Sequence, residues 1–185
     1  IVSELIRLLH GLGEYQWLER PYELTDVKIG IIGLGKIGTM VANALKYFGA
    51  DVYYYSKTRK ESEEGKGIKY LPLEDLLKQC DIISTHLNRD VVLLNEKEFE
   101  QLGNGKIYIN TTIGCCYEVN ALKKWLDTGE NYYICDKVSN LPQTQEIINH
   151  QKTIYTNKIC GNSKQSDIRA TNQTLSNIKE YLMML

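Results

Sequence analysis

The sequence predicts an α/β fold built on a doubly wound parallel sheet. Short apolar segments typical of strands alternate with helical segments in units of about 20–30 residues. A glycine-rich turn at residues 33–38 joins the first strand of this series to a helix. The length of 185 residues suits one domain, or one domain and a fragment of another.

The first elements are a helix, a strand and a second helix. Residues 3–10 have the apolar spacing of a helix, with Ser3 as a candidate cap and Gly11 as a stop. Residues 27–32 (VKIGII) form a short apolar run that predicts a strand. Residues 36–48 (KIGTMVANALKYF) return to helical spacing, with one apolar face.

The middle of the chain continues the alternation. Residues 51–55 (DVYYY) favour a strand, and residues 61–67 (ESEEGKG) are polar and predict a turn. Pro72 is placed to begin a short helix. Residues 81–86 (DIISTH) predict a strand, and residues 95–98 (NEKE) have the pattern of a capping box at a helix start.

The last third of the chain repeats the same order. Residues 106–110 (KIYIN) predict a strand, and residues 118–128 predict a helix. Residues 132–136 (YYICD) and 153–155 (TIY) predict short strands, and a final helix is expected at about 165–183. Strands separated by helices in this way predict parallel pairing throughout the sheet.

Composition excludes several classes of protein. The net charge is −1, so there is no global basic field of the kind that binds nucleic acid or an anionic membrane surface. No apolar run approaches the ~18 residues of a membrane span, and no signal peptide is visible. No spacing of His, Cys and Asp predicts a metal site. The five cysteines are scattered without a CxxC pair, which predicts reduced thiols and a cytoplasmic protein. They are residues 80, 115, 116, 135 and 160.

The glycine-rich turn has the pattern GxGxxG. The first glycine allows a tight turn, the second lets a diphosphate approach the backbone, and the third lets the helix pack closely on the strand. The pattern alone is a weak signal, but here it lies between a predicted strand and a predicted helix. We therefore predict dinucleotide binding rather than a chance cluster of glycines. The predicted residues are Gly33, Leu34, Gly35, Lys36, Ile37 and Gly38.

The second predicted strand runs into a hydroxyl and a group of cations, in the segment YYYSKTRK at 53–60. Proteins that bind NAD place an acid at this strand end to accept hydrogen bonds from the ribose, but Ser56 stands there instead. Lys57 and Arg59, with Thr58 between them, can offset the extra 2′-phosphate of NADP. The segment therefore predicts a preference for NADP(H) over NAD(H). The alternative is a solvated loop that happens to be basic.

Residues 31–60 (IIGLGKIGTMVANALKYFGADVYYYSKTRK) resemble the cofactor domain of the D-isomer-specific 2-hydroxyacid dehydrogenases. Within that family, the segment is most similar to the NADP-preferring glyoxylate/hydroxypyruvate reductases. Further segments resemble the family in the same order. They are residues 70–87, 106–114, 118–129, 132–136 and 154–161.

The resemblance implies a domain organisation. Residues 23–163 would form the Rossmann NAD(P)-binding domain, and residues 1–22 a helix linking it to an N-terminal substrate domain. Residues 164–185 would form a C-terminal helix that packs against the substrate domain or crosses to it. The substrate domain itself is expected to be missing from this sequence. The resemblance also implies a homodimer and a small 2-oxoacid or 2-hydroxyacid as substrate.

The resemblance implies further cofactor contacts. His86 ends a strand in the row of residues that faces the cofactor in the family, and a satisfied structural histidine is the alternative. Thr112 and Ile113 lie in the segment 106–114 (KIYINTTIG), which is similar to the family's "ailiNtaRG" segment. Asp136 matches an aspartate near the nicotinamide amide, and a strand-end turn is the alternative.

The family's three catalytic side chains are all replaced. The position of the arginine that binds the substrate carboxylate holds Ile113, and the position of the catalytic histidine holds Lys158. The position of the glutamate falls in residues 137–145 (KVSNLPQTQ), and the first acid afterwards is Glu146. Lys158 is therefore either a replacement proton donor or a solvated loop cation.

Two functions follow from these observations. The first is an NADP-dependent reductase of small 2-oxoacids, or its cofactor domain, and the family resemblance favours it. The second is a cofactor-binding protein that has lost this reaction, as a pseudoenzyme or a redox-responsive partner. The joint loss of the catalytic triplet favours the second.

Overall fold

A seven-stranded sheet organises the chain. The computed structural model describes residues 1–89, 91–136, 144–159 and 161–184. The strands are β1 (Lys28–Ile32), β2 (Asp51–Tyr55), β3 (Lys69–Tyr70), β4 (Ile82–Thr85), β5 (Ile107–Asn110), β6 (Tyr132–Cys135) and β7 (Thr153–Tyr155). All neighbouring pairs are parallel, in the order β3-β2-β1-β4-β5-β6-β7. From β1 the chain adds β2 and β3 on one side of the sheet, and then returns to add β4, β5, β6 and β7 on the other side. The predicted doubly wound parallel sheet is therefore confirmed.

Helices connect the strands. They are α1 (Val2–His10), α2 (Lys36–Tyr47), α3 (Glu61–Glu64), α4 (Leu73–Gln79), α5 (Glu96–Leu102), α6 (Val119–Thr128), α7 (Thr144–Ile148) and α8 (Lys164–Met183). The capping box predicted at 95–98 is present, because Asn95 Oδ1 accepts from the N–H of Lys97 and Glu98 accepts from the N–H of Asn95. Ser3 does not cap α1, which begins one residue earlier with Ile1 in the cap position.

Three short elements were not predicted, namely α3, β3 and α7. The polar segment 61–67 was expected to be a turn, but its first half forms the single helical turn of α3. The carbonyl of Lys60 accepts from the N–H groups of Glu63 and Glu64, and carboxylates are favourable in the first turn of a helix. These three elements have two to five residues and lack the continuous apolar run that identified the other short strands, so they carry no periodic signal in the sequence.

The sheet is buried on both faces, as expected for parallel strands covered by helices. One cluster of buried apolar residues includes Leu5, Leu8 and Leu9 of α1, so this helix is part of the core of the domain. On the opposite face, Gly30 of β1 lies against α4, where an added Cβ would be 2.6 Å from Leu76 Cδ2. Close packing therefore limits the size of the β1 side chains on that face.

Helix α2 packs on the sheet through small residues. The small residues Gly38 and Ala42 are buried together with Leu45. The helical spacing predicts one apolar face made of residues 37, 41, 45 and 48, but Ile37 and Phe48 are 59% and 49% exposed. Small side chains let the helix axis approach β1 closely, which moves the larger apolar side chains outwards. The start of this helix is thereby fixed next to the end of β1.

Helix α8 is exposed to solvent along almost its whole length. It begins with a capping box in which the hydroxyls of Ser163 and Ser166 bind each other's backbone N–H groups. No residue of α8 is buried against the part of the chain that the structure describes. The expected packing of this helix on a substrate domain stays a prediction.

Candidate cofactor-binding site

The turn after β1 requires glycine at its first position. Gly33 has a φ of +96°, a conformation that L side chains rarely adopt. Its N–H donates to the carbonyl of Tyr55 over 2.8 Å, which joins the turn to the end of β2. A Cβ at this position would lie 2.5 Å from the carbonyl oxygen of His86. The turn is therefore sharp and tightly held between two neighbouring strands.

The other two glycines of the motif have opposite surroundings. An added Cβ at Gly35 would meet no atom within 4 Å, so the space in front of this residue is open. An added Cβ at Gly38 would lie 2.1 Å from the carbonyl oxygen of Gly33, so the helix and the turn are in direct contact there. Gly35 thus offers room for a ligand, and Gly38 permits close packing.

This geometry fits the diphosphate of a dinucleotide. The N–H groups in the first turn of a helix have no partner within the helix, and the helix dipole is positive at this end. Gly35 occupies the N-cap position of α2, where the open space gives an anion access to these groups. Lys36 and Ile37 follow as exposed residues, whereas Leu34 is buried and fixes the turn to the core.

The basic loop after β2 is structured by its own contacts. Ser56 is half-buried, and its hydroxyl donates to the carbonyl of Thr58. Lys57 is exposed to solvent. Arg59 is not a free cation, because its guanidinium donates two hydrogen bonds to the carboxylate of Glu64 in α3. The sequence did not indicate this partner, which lies in the segment that was expected to be a turn.

His86 follows β4 next to the glycine turn. Its N–H donates to the carbonyl of Ile32 over 2.7 Å, and its ring Nε2 lies 3.0 Å from the hydroxyl of Ser84. Burial lowers the pKa of the imidazole to about 4. The ring is therefore neutral at pH 7, and it can offer one donor and one acceptor at this edge of the sheet.

Asn110 organises the loop after β5. Its Oδ1 accepts from the hydroxyl of Thr112 over 2.7 Å, and its Nδ2 donates to the carbonyl of Gly114 over 3.0 Å. Thr85 Oγ1, at the end of β4, lies 3.1 Å from the same Asn110 oxygen. Thr85 and Asn110 were not predicted as site residues, although each is the polar last residue of a buried strand.

The positions that the resemblance assigns to the family's catalytic residues lie only partly in the described part of the chain. Ile113 projects from the loop after β5 and is 70% exposed. Lys158 is an exposed residue that follows β7. Residues 137–143, which include most of the segment predicted for the glutamate, lie outside the described residues. Glu146 is described, and its carboxylate lies 3.6 Å from Lys123 Nζ of α6.

The predicted cofactor residues share one edge of the sheet. Because β2, β1, β4, β5 and β6 are adjacent and parallel, the residues that follow them lie side by side. These residues are Gly33, Ser56, His86, Thr112 and Asp136. Asp136 is 7% exposed, and its carbonyl accepts from the hydroxyl of Thr156 over 3.4 Å. The arrangement places the candidate site at the topological switch point of the sheet.

Two cavities in the described part of the chain lie away from this edge of the sheet. Cavities of about 240 and 390 Å³ lie between α5 and α6 and beside Trp17 and Asp81, and neither is lined by a predicted cofactor residue. Residues 1–89, 91–136, 144–159 and 161–184 contain no group of three or more His, Cys, Asp or Glu side chains that could hold a metal ion. Within the same residues, every helix is too short or too polar to cross a bilayer.

Comparison with known proteins gives one family. Residues 7–159 match the model of the D-isomer specific 2-hydroxyacid dehydrogenase NAD-binding domain. A glyoxylate reductase from Thermococcus litoralis is 41% identical over 112 residues, which are 58% of this chain and 34% of that protein. A D-lactate/D-glycerate dehydrogenase from Pediococcus acidilactici is 34% identical over 142 residues, which are 70% of this chain and 43% of that protein.

Solved structures share the fold. The D-lactate dehydrogenase of Aquifex aeolicus, complexed with NAD and lactic acid, superposes with a TM-score of 0.85 at 22% identity. The similarity covers 98% of this chain and 64% of that protein. By sequence, in contrast, the match spans about a third of the length of the glyoxylate reductases.

Proposed function

The chain belongs to the D-isomer specific 2-hydroxyacid dehydrogenase family through its NAD-binding domain, and we propose that it is the NADP(H)-binding domain of an oxidoreductase acting on a small 2-oxo or 2-hydroxy acid. The glycine turn carries this proposal. Gly33 needs its positive φ, Gly35 faces open space, and Gly38 touches the turn. Each glycine therefore has the surroundings that dinucleotide binding requires.

The end of β2 supports NADP(H) over NAD(H). Ser56 stands where an acid would bind the ribose of NAD and repel a 2′-phosphate. Lys57 and Arg59 supply positive charge within three residues, and arginine can bind phosphate through two N–H groups. The exposed position of both cations leaves them accessible to a ligand at this edge.

The residues of the switch point have distinct roles in this proposal. The first turn of α2 binds the diphosphate, and the half-buried, neutral imidazole of His86 contacts the cofactor without adding charge. Asn110 holds the loop that carries Thr112 and Ile113 in place. When bound, the nicotinamide supplies or accepts the hydride of the reaction.

Isothermal titration tests the cofactor preference. We expect NADPH to bind at least about tenfold more tightly than NADH, which corresponds to ~1.4 kcal/mol. Arg59→Ala should remove most of this difference and leave the affinity for NADH nearly unchanged. Lys78→Ala is a matched control, because this lysine pairs with Glu74 on α4 and is also exposed. Equal affinity of the unmodified chain for both cofactors would refute the preference.

Lys158 is the candidate proton donor, since it stands at the family's histidine position. Its exposure favours the alternative of a solvated cation. The test is the reduction of glyoxylate, hydroxypyruvate and pyruvate by the complete protein with NADPH. Turnover that is lost in Lys158→Ala, with NADPH affinity retained, would establish the catalytic role.

A second candidate function is a cofactor-binding protein without the family's reaction. Ile113 favours it, because an exposed isoleucine cannot bind the carboxylate of a substrate. Lys158 is also absent from the ion pairs among the described residues, so no carboxylate seen here orients its amine. Tight NADPH binding without turnover of any of the three acids is the result expected for this function.

The assembly and the wider architecture are also proposals. The family resemblance implies a homodimer formed through this domain, and sedimentation of the chain at high concentration tests it. The same resemblance implies that residues 1–22 and 164–185 connect to a substrate domain, with residues 23–163 as the cofactor domain. A cytoplasmic location is proposed because the five cysteines are scattered along the sequence and form no CxxC pair.

A further inference from the structure

Glu64 is held in a fixed position beside the basic loop. The hydroxyl of Tyr54, a fully buried residue of β2, donates to Glu64 Oε1 over 2.7 Å. The same hydroxyl accepts from the backbone N–H of Lys60 over 2.7 Å, at the start of α3. The carboxylate is therefore anchored to the sheet as well as to its own short helix.

Arg59 is bound from two sides. Its Nε donates to Glu64 Oε1 over 3.0 Å, and its Nη2 donates to the second carboxylate oxygen. Its guanidinium also lies over the ring of Tyr70, with 4.8 Å between Cζ and the ring centroid. The ring of Tyr70 packs in turn against Tyr54 at a centroid distance of 5.4 Å. The guanidinium thus has a defined place before any cofactor binds.

The ion pair with Glu64 reduces the positive charge that Arg59 presents to a ligand. A guanidinium has five N–H donors, and the contact with Glu64 uses two of them, so three are left for another acceptor. The adjacent carboxylate offsets the positive charge and repels a second anion. Arg59 can therefore still bind a phosphate, but more weakly than an unpaired arginine would.

We infer that Glu64 sets the strength of the cofactor preference by competing with the 2′-phosphate for Arg59, an inference that rests on the proposed use of NADP(H). NADPH carries this phosphate and NADH lacks it. The carboxylate therefore lowers affinity for NADPH and leaves affinity for NADH unaffected. Glu64 is a specificity-determining residue that acts through the charge of its partner.

The variant Glu64→Gln tests the inference by isothermal titration with NADPH and NADH. The amide keeps an oxygen to accept from Tyr54 and removes the charge. Because the pair is partly exposed to solvent, we expect about fivefold tighter NADPH binding, the size expected for an exposed ion pair. NADH affinity should stay within about twofold. Unchanged or weaker NADPH binding would overturn the inference, since Glu64 would then orient Arg59 rather than compete for it.

A matched control separates this effect from a general change in charge. Glu63 is the neighbouring residue of α3, and its carboxylate accepts from Lys66 Nζ over 2.7 Å instead of from Arg59. Glu63→Gln removes the same charge from the same helix, and it should leave the ratio of the two affinities unchanged. A ratio that rises equally in both variants would overturn the inference.

A double-mutant cycle identifies the partner through which Glu64 acts. In an Arg59→Ala background, Glu64→Gln should have no effect on NADPH affinity. An effect of the same size in that background would contradict competition for Arg59. A failure of this inference can be distinguished from a failure of the proposed cofactor preference. If the unmodified chain binds both cofactors equally, a preference created by Glu64→Gln supports the inference, and its absence refutes it.

Discussion

Replacing Gly38 by alanine should separate the packing of the glycine turn from its ligand-binding role. The new Cβ would lie 2.1 Å from the carbonyl oxygen of Gly33, whereas ordinary van der Waals contact begins at 3.4 Å. The oxygen belongs to the backbone of a turn that is itself fixed against His86. Helix α2 must therefore shift away from β1, or the turn must deform.

The cost of this shift can be estimated. Overpacking in a well-packed core costs about 1–3 kcal/mol. Alanine recovers up to about 1 kcal/mol through its higher helix propensity. We expect the free energy of unfolding to fall by about 2 kcal/mol, which lowers Tm by about 4–8 °C in a domain of this size. Urea unfolding should show a lower midpoint with an unchanged slope.

Gly35→Ala is the matched comparison, because the same methyl group is added three residues earlier. Gly35 has a φ of −83°, which alanine adopts freely, and the new Cβ would meet no atom within 4 Å. Stability should therefore change by less than about 1 kcal/mol. The methyl group fills the space proposed for the diphosphate, so NADPH affinity should fall at least about tenfold, or ~1.4 kcal/mol.

The two variants give a clear test when unfolding and NADPH titration are measured on both. Wild-type NADPH affinity in Gly35→Ala would refute the placement of the diphosphate at this residue. Wild-type stability in Gly38→Ala would refute the close contact between α2 and the turn. Loss of stability in both would indicate that Gly35 has a structural role that the open space does not explain.

Three further predictions concern buried groups. NMR titration should show His86 neutral down to about pH 4, and stability should fall as pH decreases from about 6.5 to about 4, because only the unfolded chain binds the proton in that range. Tyr54→Phe should lower the free energy of unfolding by about 1–3 kcal/mol in urea titrations, because it removes a hydroxyl that binds Glu64 and the Lys60 N–H. Mass spectrometry after thiol labelling at pH 8 should find the half-exposed Cys115 modified before the buried Cys80, Cys116 and Cys135, because burial raises the thiol pKa of Cys116 and raises that of Cys80 and of Cys135 to about 12.

The sequence predicted most of the sheet because its strands are short apolar runs between helical segments. The GxGxxG pattern also identified the turn at 33–38, since each glycine meets a local requirement of backbone geometry. Small elements were missed for the opposite reason. Helix α3 has only four residues, and its position depends on contacts with β2 that lie outside its own sequence.

The electrostatics of the basic loop depended on the tertiary structure. The sequence shows Arg59 among cations, and nothing in the spacing to Glu64 indicates that the two side chains bind each other. The pair forms because Tyr54 fixes the carboxylate from the neighbouring strand. In the same way, Asn110 became a candidate site residue only when its contacts with Thr112 and Gly114 were seen.

The sequence by itself therefore determined the fold class and the glycine turn, and through the family resemblance it predicted that Ile113 and Lys158 replace the family's catalytic arginine and histidine. These features depend on residue identity and on spacing along the chain. Only the tertiary structure decided that Arg59 is paired, that the His86 imidazole is neutral and that Gly35 faces open space. Charge state, partner and free volume are properties of the surroundings of a residue, and those surroundings are formed by segments that are distant in the sequence.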